Sequence, residues 1–152
     1  MRLQNVRFAL IPASVRRVET SARIRVLIAE DDEGVRETLA SVVRSESAFE
    51  LAGTVADAAQ AILVAAEAQP DVALVDVRMP GGGASAARGI KLRSPHTVVL
   101  AFSAHDDALT MRRMEEAGAA GYLVKGSPVA TIVASIRRAG TGSSRLRTRR
   151  AA

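Results

Sequence analysis

The chain has 152 residues, 48% of them hydrophobic, with a formal net charge of +5, no Cys, no Trp, three Phe and one Tyr. That length suits one domain, its core must be aliphatic, and such a core suits alternating strands and helices. The lack of Cys excludes disulfides, thiol catalysis and thiolate metal sites, and no apolar run approaches the roughly 18 residues of a membrane span, so a cytoplasmic protein without membrane contact is expected.

Residues 1–22 carry four Arg and one Glu. Their apolar run, Phe8 to Ile11, is too short for a secretory signal, and the segment reads as a disordered basic extension. Residues 23–126 are acidic, with eleven Lys/Arg against fifteen Asp/Glu, whereas residues 127–152 carry six Arg and no acid. Basic ends of this kind read as solvated tails, which supports nucleic-acid binding only weakly.

Elements follow in regular alternation from residue 24. Ile24 to Ala29 (IRVLIA) is a short apolar run that predicts a strand buried on both faces. After the charged stretch Glu30-Asp31-Asp32-Glu33, Val35, Leu39, Val42 and Val43 recur at helical spacing to about Arg44. Asp32 and Glu33 read as first-turn charges favoured by the helix dipole. Phe49 to Val55 predicts the second strand, and Asp57 caps a helix over residues 58–68 that Pro70 ends.

Val72 to Val75 predicts the third strand, followed by Asp76, a Pro-Gly-Gly-Gly loop (residues 80–83) and a helix over residues 84–93. The glycines lack the GxxxxGK[ST] pattern of a phosphate cradle and read as a flexible loop. Thr97 to Phe102 predicts the fourth strand, with a helix over 107–117 capped by Asp106. Ala120 to Val124 predicts the fifth, and Pro128 begins a last helix that Gly140 and Gly142 stop near Ala139. The expected organisation is therefore an extension (1–22), one domain (23–140) and a disordered basic tail (141–152).

Five strand-helix repeats with right-handed crossovers predict a doubly wound α/β domain: a parallel sheet with helices on both faces, a three-layer sandwich. Ligands of such sheets collect outside the carboxyl ends of the strands. There the chain puts Glu30, Asp31, Asp76, Ser103 and Lys125. Three carboxylates repel unless compensated, and their hard oxygens suit Mg²⁺, which is usually held by one or two carboxylates plus a phosphate. His96 and His105 lack partners at zinc-ligand spacing and read as exposed loop residues. With a cation present one carboxylate can act as a nucleophile towards phosphorus, while Lys125 and Ser103 compensate charge on the transferred group.

The segments VLIAEDD, VALVDVRMPGG, VVLAFSAHDD and GAAGYLVKGSP resemble, in order and spacing, the four signature blocks of the response-regulator receiver domain, over about residues 24–139. The resemblance implies a flavodoxin-like (βα)5 fold with strand order 2-1-3-4-5. It implies that Asp76 is the phosphorylated residue, that Glu30 and Asp31 place Mg²⁺ with Asp31 the direct ligand, and that Arg78 adds its backbone carbonyl. Ser103 corresponds to the hydroxyl that meets the phosphoryl group, Lys125 to the lysine beside it, and Tyr122 to the aromatic switch residue, although a packed core aromatic is the other reading.

The implied partners are a sensor histidine kinase or phosphotransfer protein, and a second copy bound through the face of the fourth helix, fifth strand and fifth helix. The receiver would assist its own phosphotransfer and dephosphorylation without being an enzyme in the usual sense. The family's lysine is typically followed by proline, whereas here Gly126 follows Lys125. Either the glycine supplies the required backbone or the lysine reaches the site less rigidly. The chain reads as a stand-alone receiver or a truncated transcriptional regulator. Two further readings are a basic-tailed nucleic-acid binder using the receiver as scaffold, and a flavodoxin-like hydrolase acting on a free substrate.

Overall fold

A computed structural model describes residues 22–105 and 107–151, the side chains of residues 144–151 excepted. The expectation for residues 1–21 and the capping role given to Asp106 lie outside the described residues. The elements in order are β1 (Ile24–Ala29), α1 (Glu33–Ser45), β2 (Phe49–Val55), α2 (Ala58–Ala68), β3 (Val72–Asp76), α3 (Gly83–Arg93), β4 (Val98–Ser103), α4 (Ala108–Glu116), β5 (Ala119–Val124) and α5 (Val129–Ala151). All strand pairs are parallel and the sheet order is β2-β1-β3-β4-β5, so the doubly wound expectation holds. No helix among the described residues is long and apolar enough to cross a membrane.

The strands read as continuous apolar runs because both faces are covered. In β1, Leu27 and Ala29 join a core shared with Ala61 and Ala65 of α2, Ala86 and Ile90 of α3 and Met114 of α4. Val26 and Ile28 point the other way, into a core shared with Leu39 and Val43 of α1 and Ile132 and Ile136 of α5. β3 divides likewise, with Ala73 and Val75 on the first face and Val72 and Leu74 on the second. This two-residue alternation decides which way the residues at the strand ends point.

Helix starts follow their capping residues. Asp32 Oδ1 accepts from Val35 N–H at 2.9 Å, and Asp57 Oδ1 accepts from Gln60 N–H at 2.8 Å, satisfying donors that the first helical turn leaves unpaired. α4 is capped by Asp107, whose Oδ1 accepts from Thr110 N–H at 2.8 Å; that bond holds the exposed carboxyl below its usual range.

The glycines after Pro80 are more specific than a flexible loop. Gly81 and Gly82 both have φ of +86°, a backbone region that disfavours residues with a Cβ. Gly83 opens α3 so close to the end of β3 that a Cβ would lie 2.5 Å from the Asp76 carbonyl oxygen and 2.6 Å from Val77 Cα. The stretch therefore turns the chain and seats a helix directly against the backbone of Asp76.

The expected stop at Gly140 and Gly142 is corrected by the structure, in which α5 continues to Ala151. Two glycines weaken a helix by roughly 1 kcal/mol each relative to alanine, so propensity alone argues for an end. Tertiary contact overrides it. A Cβ at Gly140 would lie 2.5 to 2.8 Å from Ile24 side-chain carbons, so this glycine permits close approach to β1. One turn on, Ser143 is fully buried and its hydroxyl donates to the His96 carbonyl at 2.9 Å.

Ser143→Ala is expected to lower unfolding stability by about 0.5–1.5 kcal/mol, the usual worth of such a bond, whereas a solvated tail would show no change; urea denaturation distinguishes them. Gly83→Ala should cost more, about 1–3 kcal/mol, because the clash is with backbone that cannot move aside without displacing α3. An unchanged urea midpoint for that variant would contradict the close packing.

Candidate functional site

Glu30 and Asp76 emerge at the ends of neighbouring strands β1 and β3, where the order of the sheet reverses and a crevice opens. Each follows by two residues a member of the α1/α5 core, Ile28 and Leu74. Lys125, two beyond Leu123 of the same core, comes from β5. Strand alternation thus turns an acid, an acid and a lysine towards one side of the sheet edge.

Glu30 and Asp76 are buried at 1% and 3% exposure, while Asp31 is exposed. Each of the three carboxylates offers an oxygen, and these oxygens all lie within 4.8 Å of one another. Lys125 Nζ stands 2.9 Å from Glu30 Oε2 and 3.3 Å from Asp76 Oδ1, so one ammonium bridges the two buried acids. Nζ also lies 5.7 Å from the centre of the Phe102 ring, within cation–π range. Gly126, directly after Lys125, adopts φ +89°, a backbone region that suits glycine.

Backbone donors refine the arrangement. Asp32 N–H donates to Glu30 Oε1 at 3.1 Å and Arg78 N–H to Asp76 Oδ1 at 3.2 Å. Glu30 Oε2 is buried and faces the Lys125 ammonium. Burial raises the Glu30 carboxyl above its ordinary range, against the opposing effect of Lys125. Burial also opposes the ammonium of Lys125, but the contact with Glu30 and the charge of Asp76 outweigh it and hold the lysine above its usual value.

These donors are hard oxygens gathered at one point, two of the acids being buried, and sulfur and imidazole are missing from the cluster. Such a set fits a hard divalent cation.

Ser103 and Tyr122 sit on the opposite alternation. Ser103 ends β4 two residues after Ala101, and Tyr122 pairs with Ala101 across the β4–β5 ladder; Ala101 and Tyr122 face the core under α2, α3 and α4. Ser103 is buried, and its Oγ accepts from His105 N–H at 3.2 Å. The half-buried Tyr122 packs against that core while its hydroxyl donates to the His105 carbonyl at 2.5 Å. One peptide segment therefore touches both residues. The His105 side chain is exposed, as its sequence context suggested, but its backbone is the link that sequence reading missed, because no side-chain pattern marks a backbone contact.

Arg36 of α1 was also missed. Its Nη1 donates to the Glu30 carbonyl at 2.8 Å and the Asp31 carbonyl at 3.2 Å, holding the strand exit from the helix side. A cation one helical turn after the acidic stretch was the available signal.

The family model for the response regulator receiver domain matches residues 26–137. The chain is 34% identical over 115 residues to the response regulator GacA of Pseudomonas viridiflava, covering 75% of this chain and 54% of that protein. It thus spans about half the length of the curated relatives it matches. Among solved structures, the signal receiver domain of the response regulator NarL from Mycobacterium tuberculosis superposes with a TM-score of 0.75 at 31% identity, covering 80% of this chain and 98% of that one. The receiver domain of a sensor histidine kinase from Pseudomonas aeruginosa, solved with a magnesium ion coordinated in its active-site cleft, gives a TM-score of 0.71 at 25% identity, over 79% of this chain and 99% of that one. With the (βα)5 sheet and the acidic crevice at its switch point, these matches establish that the chain belongs to the response regulator receiver domain family of two-component signalling.

Proposed function

We propose that this receiver is a phospho-activated switch in which Asp76 takes a phosphoryl group from the phosphohistidine of a sensor kinase or phosphotransfer protein. The observation that carries the reading is the cluster itself: three carboxylate oxygens within 4.8 Å, two of the acids bridged by Lys125. Glu30, Asp31, Asp76 and the Arg78 carbonyl are the groups that would hold Mg²⁺, which when bound supplies charge compensation for the transferred phosphoryl oxygens.

Asp76 Oδ1 already receives the Arg78 N–H and the Lys125 contact, which leaves Oδ2 as the nucleophile. An Oδ2–P bond forms as the P–N bond of the donor breaks, and the electron pair returns to the imidazole nitrogen. Lys125 then moves its charge from the carboxylates to a phosphoryl oxygen, and Ser103 donates its hydroxyl to another. Later, water attacks phosphorus, the P–O bond breaks and the carboxylate is restored. The domain assists both steps on itself, as a switch and not as a turnover catalyst.

Phosphorylation brings roughly −1.5 to −2 charge to the crevice. Drawing Ser103 towards it removes the acceptor of His105 N–H, and the same peptide segment carries the carbonyl that Tyr122 holds. Tyr122 is thereby free to change position, which alters the surface of α4, β5 and α5, where Leu109, Met111 and Val129 are exposed. A partner or a second copy reads that surface.

Incubation with Mg²⁺ and acetyl phosphate is expected to give one hydroxylamine-labile phosphate per chain, absent in Asp76→Asn and abolished by EDTA. Wild-type protein that takes no label would refute the reading. Lys125→Ala should label more slowly, on the order of a hundredfold if the ammonium acts as a transition-state donor; an unchanged rate would remove the lysine from the mechanism.

A further inference from the structure

Arg36 is half-buried in the first turn of α1, and a single nitrogen, Nη1, donates to two backbone carbonyls, those of Glu30 and Asp31. Both carbonyls lie beyond Ala29, the last residue of β1, where the ladder no longer supplies partners. An arginine beside carboxylates is well suited to pair with one of them in a forked geometry. Among the described residues Arg36 pairs with none, and the ion contacts of the cluster belong to Lys125. The guanidinium brings positive charge to the acidic turn without occupying an oxygen that a cation needs.

We propose that Arg36 is a positioning residue for the acidic loop: by tying the peptide carbonyls of Glu30 and Asp31 to α1, it fixes the turn that directs the Asp31 carboxylate towards Asp76 and so sets the affinity for Mg²⁺. The proposal rests on the phospho-acceptor reading above. Other contacts in the turn serve different ends. Asp32 N–H orients Glu30, and the Asp32 side chain caps α1. Arg36 is the group that reaches the peptide of Asp31. Asp31 is exposed, so packing does not hold it, and an unrestrained turn spreads its carboxylate over many orientations that cannot bind.

The test is calorimetric titration of Mg²⁺ alone into the full chain as wild type, Arg36→Met and Arg36→Lys, with melting temperatures recorded in EDTA. Arg36→Met keeps the stem and loses the donor, and its Kd for Mg²⁺ is expected to rise about tenfold or more, the usual effect of removing an outer partner of a metal site. Arg36→Lys restores one charged nitrogen able to meet both carbonyls and should recover much of the affinity. Equal Kd values for wild type and Arg36→Met overturn the role given to Arg36 while leaving the phospho-acceptor reading intact. If Arg36→Met melts early in EDTA, Arg36→Lys decides: with a wild-type melting temperature and affinity as weak as Arg36→Met, it overturns the proposal. Wild-type protein that binds no Mg²⁺ overturns the phospho-acceptor reading and this proposal with it.

Discussion

Glu30, Asp31 and Asp76 bring carboxylate oxygens within 4.8 Å of one another, and the repulsion among them is what the surrounding structure has to offset. Three repulsive pairs face two ion contacts, both made by Lys125. One lysine does not balance three acids. Two responses are visible: burial pushes the Glu30 carboxyl towards its neutral form, and backbone N–H groups of Asp32 and Arg78 are aimed at the two buried carboxylates. A hard cation would complete the compensation, and phosphorylation would then redistribute charge within a site already poised around it.

The sheet divides the work by alternation. Side chains on the α1/α5 side of each strand end (Glu30, Asp76, Lys125) form the charged crevice, whereas Ser103 and Tyr122 belong to the α2/α3/α4 side. Among the described residues the two groups are linked through backbone, where Lys125 N–H donates to the Ser103 carbonyl at 2.7 Å, and within the second group the His105 segment joins Ser103 to Tyr122. Gly83, seated on the Asp76 backbone, and Gly126, directly after Lys125 at φ +89°, are small residues at the points where a side chain would disturb this geometry.

Much of the fold was legible because its signals are local. Strand runs such as IRVLIA and VALV are apolar and short, Asp32 and Asp57 precede helices they do cap, and the five repeats admit few topologies. Boundaries moved by a residue or two where a strand continues into the site, as at Asp76 and Ser103. The larger departure was α5. Helix propensity places an end at Gly140, but the decision belongs to Ile24 and His96, which lie far away in sequence and receive Gly140 and Ser143 in the folded domain. At α4 the described cap is Asp107, and two adjacent aspartates carry the same local signal in the sequence.

The sequence alone determined which chemical groups reach the carboxyl edge, because strand ends and residue types are both local and the parallel alternation leaves one place for them to converge. It could not determine which oxygens are buried, which acid pairs with Lys125, or that Arg36 and the His105 peptide hold the loops around the site. Those relations depend on side-chain direction across strands that are distant in the chain, and on backbone hydrogen bonds that no residue type encodes. Only the tertiary structure decides them.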